Sequence, residues 1–131
     1  MTVTGLSISE VARRAGVRPS TLRYYEQVGL LVPPPRSSGR RRYDATVFNR
    51  LALITYAKRV GFTIAETKLL LTGFAPDTSA SARWHDLAPR KAEELDALIT
   101  RAQEMRNGLQ AALHCTCRTL DECGRRLRPH F

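Results

Sequence analysis

Every cysteine of the chain lies within nine residues, in the stretch HCTCRTLDEC at positions 114–123. Cys115, Cys117 and Cys123 form the pattern C-x-C-x5-C, with His114 immediately before it. Thiolates bind Cu(I), Zn, Hg, Cd or iron–sulfur clusters, and an imidazole can join them. Three cysteines cannot all pair within one chain, and a reducing cytosol favours a thiol or metal role over a structural disulfide. Zinc would be satisfied by the three cysteines and one of His85, His114 or His130. Arg118, Asp121 and Glu122 place both signs of charge between or beside the thiols, so net charge does not choose the ion. Three other readings stay open. The cluster can be a structural clasp or a thiol oxidation sensor, or Cys123 can cover a core from a short helix, LDECGRRL.

The second set of chemically suggestive residues is cationic. The chain of 131 residues carries a net charge of +9, and residues 1–60 hold eleven Lys/Arg against three Asp/Glu. Residues 61–131 are nearly balanced, with ten against nine. An N-terminal half this basic points to a polyanion partner, most often nucleic acid. The start of the chain has no apolar run of signal-peptide length, and no stretch approaches the length of a membrane span. The expectation is a cytoplasmic protein with no membrane association. There is no Gly-rich phosphate loop, no pair of catalytic carboxylates and no nucleophile elbow, so an enzyme is not expected.

These residues need elements to hold them. SISEVARRAGV reads as a short helix capped by Ser7 or Ser9, with Ile8, Val11, Ala12 and Ala15 on one face and Gly16 as its stop. RPSTLRYYEQVGL follows with Pro19 in a first turn, Ser20 or Thr21 as a cap, and Leu22, Tyr25 and Val28 facing inward. Two short helices joined by a glycine-containing turn are a helix-turn-helix pattern. LVPPPRSSGRRRYD cannot be a helix. It reads as a short hairpin with arginines on its rim, anchored by Tyr43, with Asp44 capping the helix that follows. That helix runs from about Asp44 to Val60, burying Val47, Leu51, Ile54 and Ala57 or Lys58. A shorter one spans Ile64–Leu71, and TGFAPDTSAS is a polar hinge near which Phe74 and Trp84 read as core. Beyond it Ala88, Lys91, Leu95, Leu98, Ala102, Met105, Leu109 and Ala112 alternate in steps of three and four, the repeat of a coiled coil. A helix that long has little to pack against within its own chain, which predicts a homodimer. Pro89 either opens this helix or lies within a longer one beginning near Ser81.

The ordered motifs TLRYYEQVGLL, PPPRSSGRRRYD and AKRVGFTIAETKLLL resemble the MerR family of transcriptional regulators over residues 7 to about 73, and more loosely to about 123. The resemblance implies a mainly α fold: an N-terminal winged helix-turn-helix over 1–75, a hinge and antiparallel coiled-coil dimerisation helix over 76–113, and a cysteine-containing effector tail over 114–131. It also implies double-stranded promoter DNA and RNA polymerase as partners, with the bound protein distorting an overlong promoter spacer. A recognition helix needs small polar residues at its start and cations along it, here Arg18, Ser20, Thr21, Arg23 and Tyr24. Arg36, Arg40, Arg41, Arg42 and Tyr43 on the wing, and Arg13, Lys58 and Arg59 near helix ends, complete the expected DNA contacts. Cys115 and Cys123 resemble the two-thiolate loop of copper-sensing members. Cys117 and Cys123 after C-x-C resemble the last ligands of a [2Fe–2S] motif, whose first cysteine is replaced near Ala112. Members that sense mercury, zinc or lead carry a further cysteine at the start of the dimer helix, where this chain has Ser79 and Ser81. The expected effector is therefore a thiophilic ion, Cu(I), Zn or Hg, held by Cys115, Cys123 and Cys117 or His114, with a cluster or thiol redox sensor as the alternative.

Overall fold

The computed structural model describes residues 5–128, so His130 lies outside the described residues. Helix α1, Ile8–Ala15, begins at Ser7, whose hydroxyl accepts the Glu10 N–H at 3.2 Å. It ends at Gly16, where φ is +71°. That left-handed conformation suits glycine because it carries no Cβ. Three residues later α2, Pro19–Gln27, starts on its proline. Neither Ser20 nor Thr21 caps this helix: the N-cap is Arg18, without a side-chain cap bond. Proline's preset φ and absent N–H make it self-sufficient as a first residue, which explains the difference.

The wing is an antiparallel pair, β1 at Arg36–Ser37 and β2 at Arg40–Arg41, in the register Arg36↔Arg41 and Ser37↔Arg40. Ser38 and Gly39 form the tip with φ of +52° and +76°. Two positive φ values are what a two-residue type I′ connection demands. At the wing's base Leu6 and Tyr43 exchange backbone hydrogen bonds of 2.8 Å each, tying the N-terminal segment to it.

Helix α3, Val47–Arg59, starts three residues later than Asp44, whose carboxylate accepts the Thr46 N–H at 2.8 Å and holds the turn before it. Leu51, Ile54 and Ala57 are buried while Lys58 is exposed. Helix α4, Ile64–Thr72, opens with a reciprocal capping box between Thr63 and Glu66. Val11, Leu22, Tyr25, Tyr43, Leu51 and Ile54 belong to one buried cluster beneath the helix-turn-helix and wing. Ala57, Phe62, Leu70 and Leu87 form a second, with Phe74 and Trp84 packed half-buried against it.

Helix α5 runs from Ala80 to Ala112 with Pro89 inside it. Pro89 cannot donate to the carbonyl one turn earlier, yet the helix continues through it. The chain divides after Lys91 into two compact units. The first reaches past the expected boundary at residue 75, because Leu87 and Trp84 fill the second cluster and Lys91 pairs with Glu66 at 2.8 Å. In the second unit the rest of α5 leads to a turn and α6, Leu120–Leu127, capped by Thr119, whose hydroxyl accepts the Glu122 N–H at 3.1 Å. No helix among the described residues is long and apolar enough to cross a membrane.

Candidate functional site

The head presents its cations outward. Arg13, Arg18, Ser20, Arg23 and Tyr24 are exposed along α1 and α2, while Thr21 is half-buried. On the wing Arg36 and Arg40 are exposed, and Arg41 and Arg42 are half-buried. Lys58 and Arg59 lie exposed in the last turn of α3. Tyr25 turns into the core as expected, while Tyr24 faces solvent.

Three of the expected DNA contacts have hydrogen-bond partners within the head. Tyr43 is only 2% exposed, and its hydroxyl donates to Glu26. Burial, then the hydrogen bond to Glu26, pushes its pKa up, so the phenol stays protonated and donating. Arg41 donates its Nε–H to the other Glu26 oxygen at 3.0 Å. Arg36 reaches across the tip to the Gly39 carbonyl at 3.3 Å. Arg42 has a buried Nε without a hydrogen-bond partner.

In the second unit the turn after α5 and the first turns of α6 bring Cys115, Cys117 and Cys123 together, their sulfurs all within 4.8 Å of one another. All three are free thiols; Cys115 is exposed and the other two are half-buried. Cys115 Sγ accepts the Cys117 N–H at 3.4 Å. That backbone bond, then the Cys117 thiol, hold the Cys115 pKa below the ordinary cysteine value, with smaller help from Cys123 and Arg126. Cys117, as donor to Cys115, is pushed up. His114 is not part of the converging group. No buried residue occurs in α6, so Cys123 does not cover a core.

Three positions that hold the head together escaped the sequence reading. Glu26 joins α2 to the wing. Arg83 spreads its guanidinium over the carbonyls of Leu70, Leu71, Ala75 and Thr78 at 2.9–3.4 Å, closing the C-terminal end of α4. Lys91, read as part of the coiled-coil stripe, is instead buried against the head. The T-x-x-E spacing of Thr63 and Glu66, and of Thr119 and Glu122, was a readable signal for two caps. Nothing local marks Glu26 or Arg83.

A winged helix-turn-helix with a basic outer face, followed by one long helix and a thiol cluster, is the arrangement of a DNA-binding regulator. The chain belongs to the MerR family of transcriptional regulators. Residues 6–73 match the family described as MerR HTH family regulatory protein, and residues 48–112 match MerR, DNA binding. The transcriptional regulator HmrR of Rhizobium leguminosarum bv. viciae is 33% identical over 109 residues, covering 83% of this chain and 84% of that one. CueR of Escherichia coli is 36% identical over 107 residues, covering 81% and 79%. Among solved structures, PbrR691 of Ralstonia metallidurans CH34, a transcription regulator in complex with lead(II), superposes with a TM-score of 0.74 at 27% identity, over 91% of this chain and 94% of that one.

Proposed function

We propose that this regulator binds promoter DNA as a homodimer and changes transcription when a thiophilic metal ion occupies Cys115, Cys117 and Cys123. The observation that carries the reading is the convergence of three sulfurs within 4.8 Å. Metal–sulfur bonds of about 2.3 Å need sulfurs about 3.8 Å apart for a tetrahedral ion and about 4.6 Å apart for a linear one. The cluster therefore fits a soft ion in two- or three-thiolate coordination, and among the described residues no fourth His, Cys, Asp or Glu joins it. An all-cysteine [2Fe–2S] cluster would need a fourth thiolate that this chain lacks. The lead(II) complex of PbrR691 supports a soft, sulfur-loving ion of this kind.

Cys115 supplies the most acidic thiol of the pair it forms with Cys117, and so offers the first thiolate. In the DNA-binding role Arg23 and Tyr24 of α2 meet the major groove, and Arg36, Arg40 and Arg42 of the wing meet phosphate. The apolar seam of α5 holds two heads at a fixed spacing, so a bound dimer can twist or bend a promoter with an overlong spacer and bring it to RNA polymerase. Metal at the end of α5 acts on that distortion.

The test is to purify the reduced protein anaerobically, titrate Cu(I), Zn(II) and Hg(II), and measure bound metal with visible absorption. Stoichiometric metal without iron–sulfur bands supports the reading. Iron with sulfide and visible bands means a cluster instead, and a protein indifferent to every ion means neither.

A further inference from the structure

The basic outer face of the head, the one expected to meet DNA, encloses a buried carboxylate, and its position is informative. Glu26 lies on α2 with its side chain only 6% exposed. Each of its oxygens has one partner on the wing: Oε1 takes Arg41 Nε–H at 3.0 Å and Oε2 takes the Tyr43 hydroxyl. Among the described residues it is the carboxylate that pairs with a wing arginine.

The wing needs such a partner. Its strands are two residues each, and an isolated hairpin that short has little stability of its own. Arg36 and Arg41 stand directly opposite each other in its register, and like charges in that relation destabilise a pair. Arg23 and Arg36 line the same cleft as Arg41, so a released Arg41 would crowd three guanidiniums. Tyr43 is fixed at its backbone by Leu6, so its hydroxyl is a rigid strut.

We infer that Glu26 is a positioning residue, a latch that sets the wing against the recognition helix, and that Arg41 and Tyr43 serve this latch and not the DNA phosphates. The inference rests on the DNA-binding reading above. A carboxylate beside a phosphate backbone would simply repel it; neutralised and shielded, Glu26 fixes the angle at which Arg36, Arg40 and Arg42 reach the duplex. Electrostatics alone and the latch predict opposite signs. Replacing Glu26 with a neutral residue adds one positive charge, which by itself tightens binding to any DNA.

The experiment uses the full-length protein, a duplex that it selects from a randomised pool, and a scrambled duplex of equal length, with anisotropy measured over a salt series. Glu26→Ala is expected to weaken the selected complex by about tenfold or more, as the loss of two hydrogen bonds to a charged group implies. It should bind the scrambled duplex as well as or better than wild type. Glu26→Gln keeps an acceptor for Tyr43 and should fall between the two. Glu26→Ala with Arg41→Met should cost no more than the worse single change, because both break one latch. If Glu26→Ala lowers the helical signal, Tyr43→Phe reads the latch from the wing side and should weaken the selected complex alone. Unchanged or tighter selected binding in a folded variant overturns the latch, as does strict additivity with Arg41→Met. A wild-type protein that selects no duplex overturns the DNA-binding reading, and the latch with it.

Discussion

At the scale of single residues, the sulfur of Cys115 differs chemically from its neighbours. It accepts the Cys117 N–H and thiol, so it loses its proton first, and Cys117 as donor holds its own longer. A lowered pKa means that the thiolate survives to lower pH. At a pH below the ordinary thiol range, iodoacetamide is expected to label Cys115 before Cys117 in mapped peptides; equal rates would contradict the geometry. Arg83 is the other residue with a large expected effect. Its guanidinium bonds four carbonyls and lies over the Phe74 ring at 5.7 Å. Arg83→Ala should lower unfolding stability by on the order of 1–3 kcal/mol. A urea midpoint equal to that of wild type would show that the clasp contributes nothing.

At the scale of elements, α4 depends on its first turn. Thr63→Ala removes the cap and should cost about 1 kcal/mol. Glu66 has a second partner, Lys91, and that bond, then the Thr63 N–H, hold its pKa below the usual carboxylate range. The stability gained this way is present above the ordinary glutamate pKa and is lost as pH falls through the folded value. Glu66→Gln can still cap, so it should flatten the acid limb of stability against pH while leaving α4 formed. A steep acid limb in that variant would assign the loss to other groups. These elements also show how far the sequence could be read. Gly16, Pro19 and the Ser-Ser-Gly tip determine local dihedrals, so the helix-turn-helix and wing were legible from residue type alone. The thiols were legible because they lie close together in the chain. Lys91 was misread because its heptad position matches a coiled-coil seam, while Glu66, 25 positions earlier, is the partner that buries it. Glu26 and Arg83 act on groups that come close only after the helices pack.

At the scale of the whole molecule, the remaining apolar stripe of α5 lacks cover among the described residues. Leu98 is 59% exposed, Met105 61% and Leu109 69%. Their spacing with Leu95 is that of a coiled-coil seam. Leu98→Glu with Leu109→Glu is therefore expected to yield monomers by light scattering with the head still helical, and a persisting dimer would place the interface elsewhere. If the basic residues of the first sixty positions serve as the proposed phosphate contacts, DNA binding should fall steeply with salt. The central claim, that metal at the thiols governs transcription, is tested most directly by transcription from a promoter the protein binds. Wild type and Cys115→Ser/Cys123→Ser would be compared with and without Cu(I), Zn(II) and Hg(II). Both proteins should bind the promoter, and only wild type should respond to a metal. A double variant that keeps the full response, or a wild type that responds to none of the three ions, would contradict the claim.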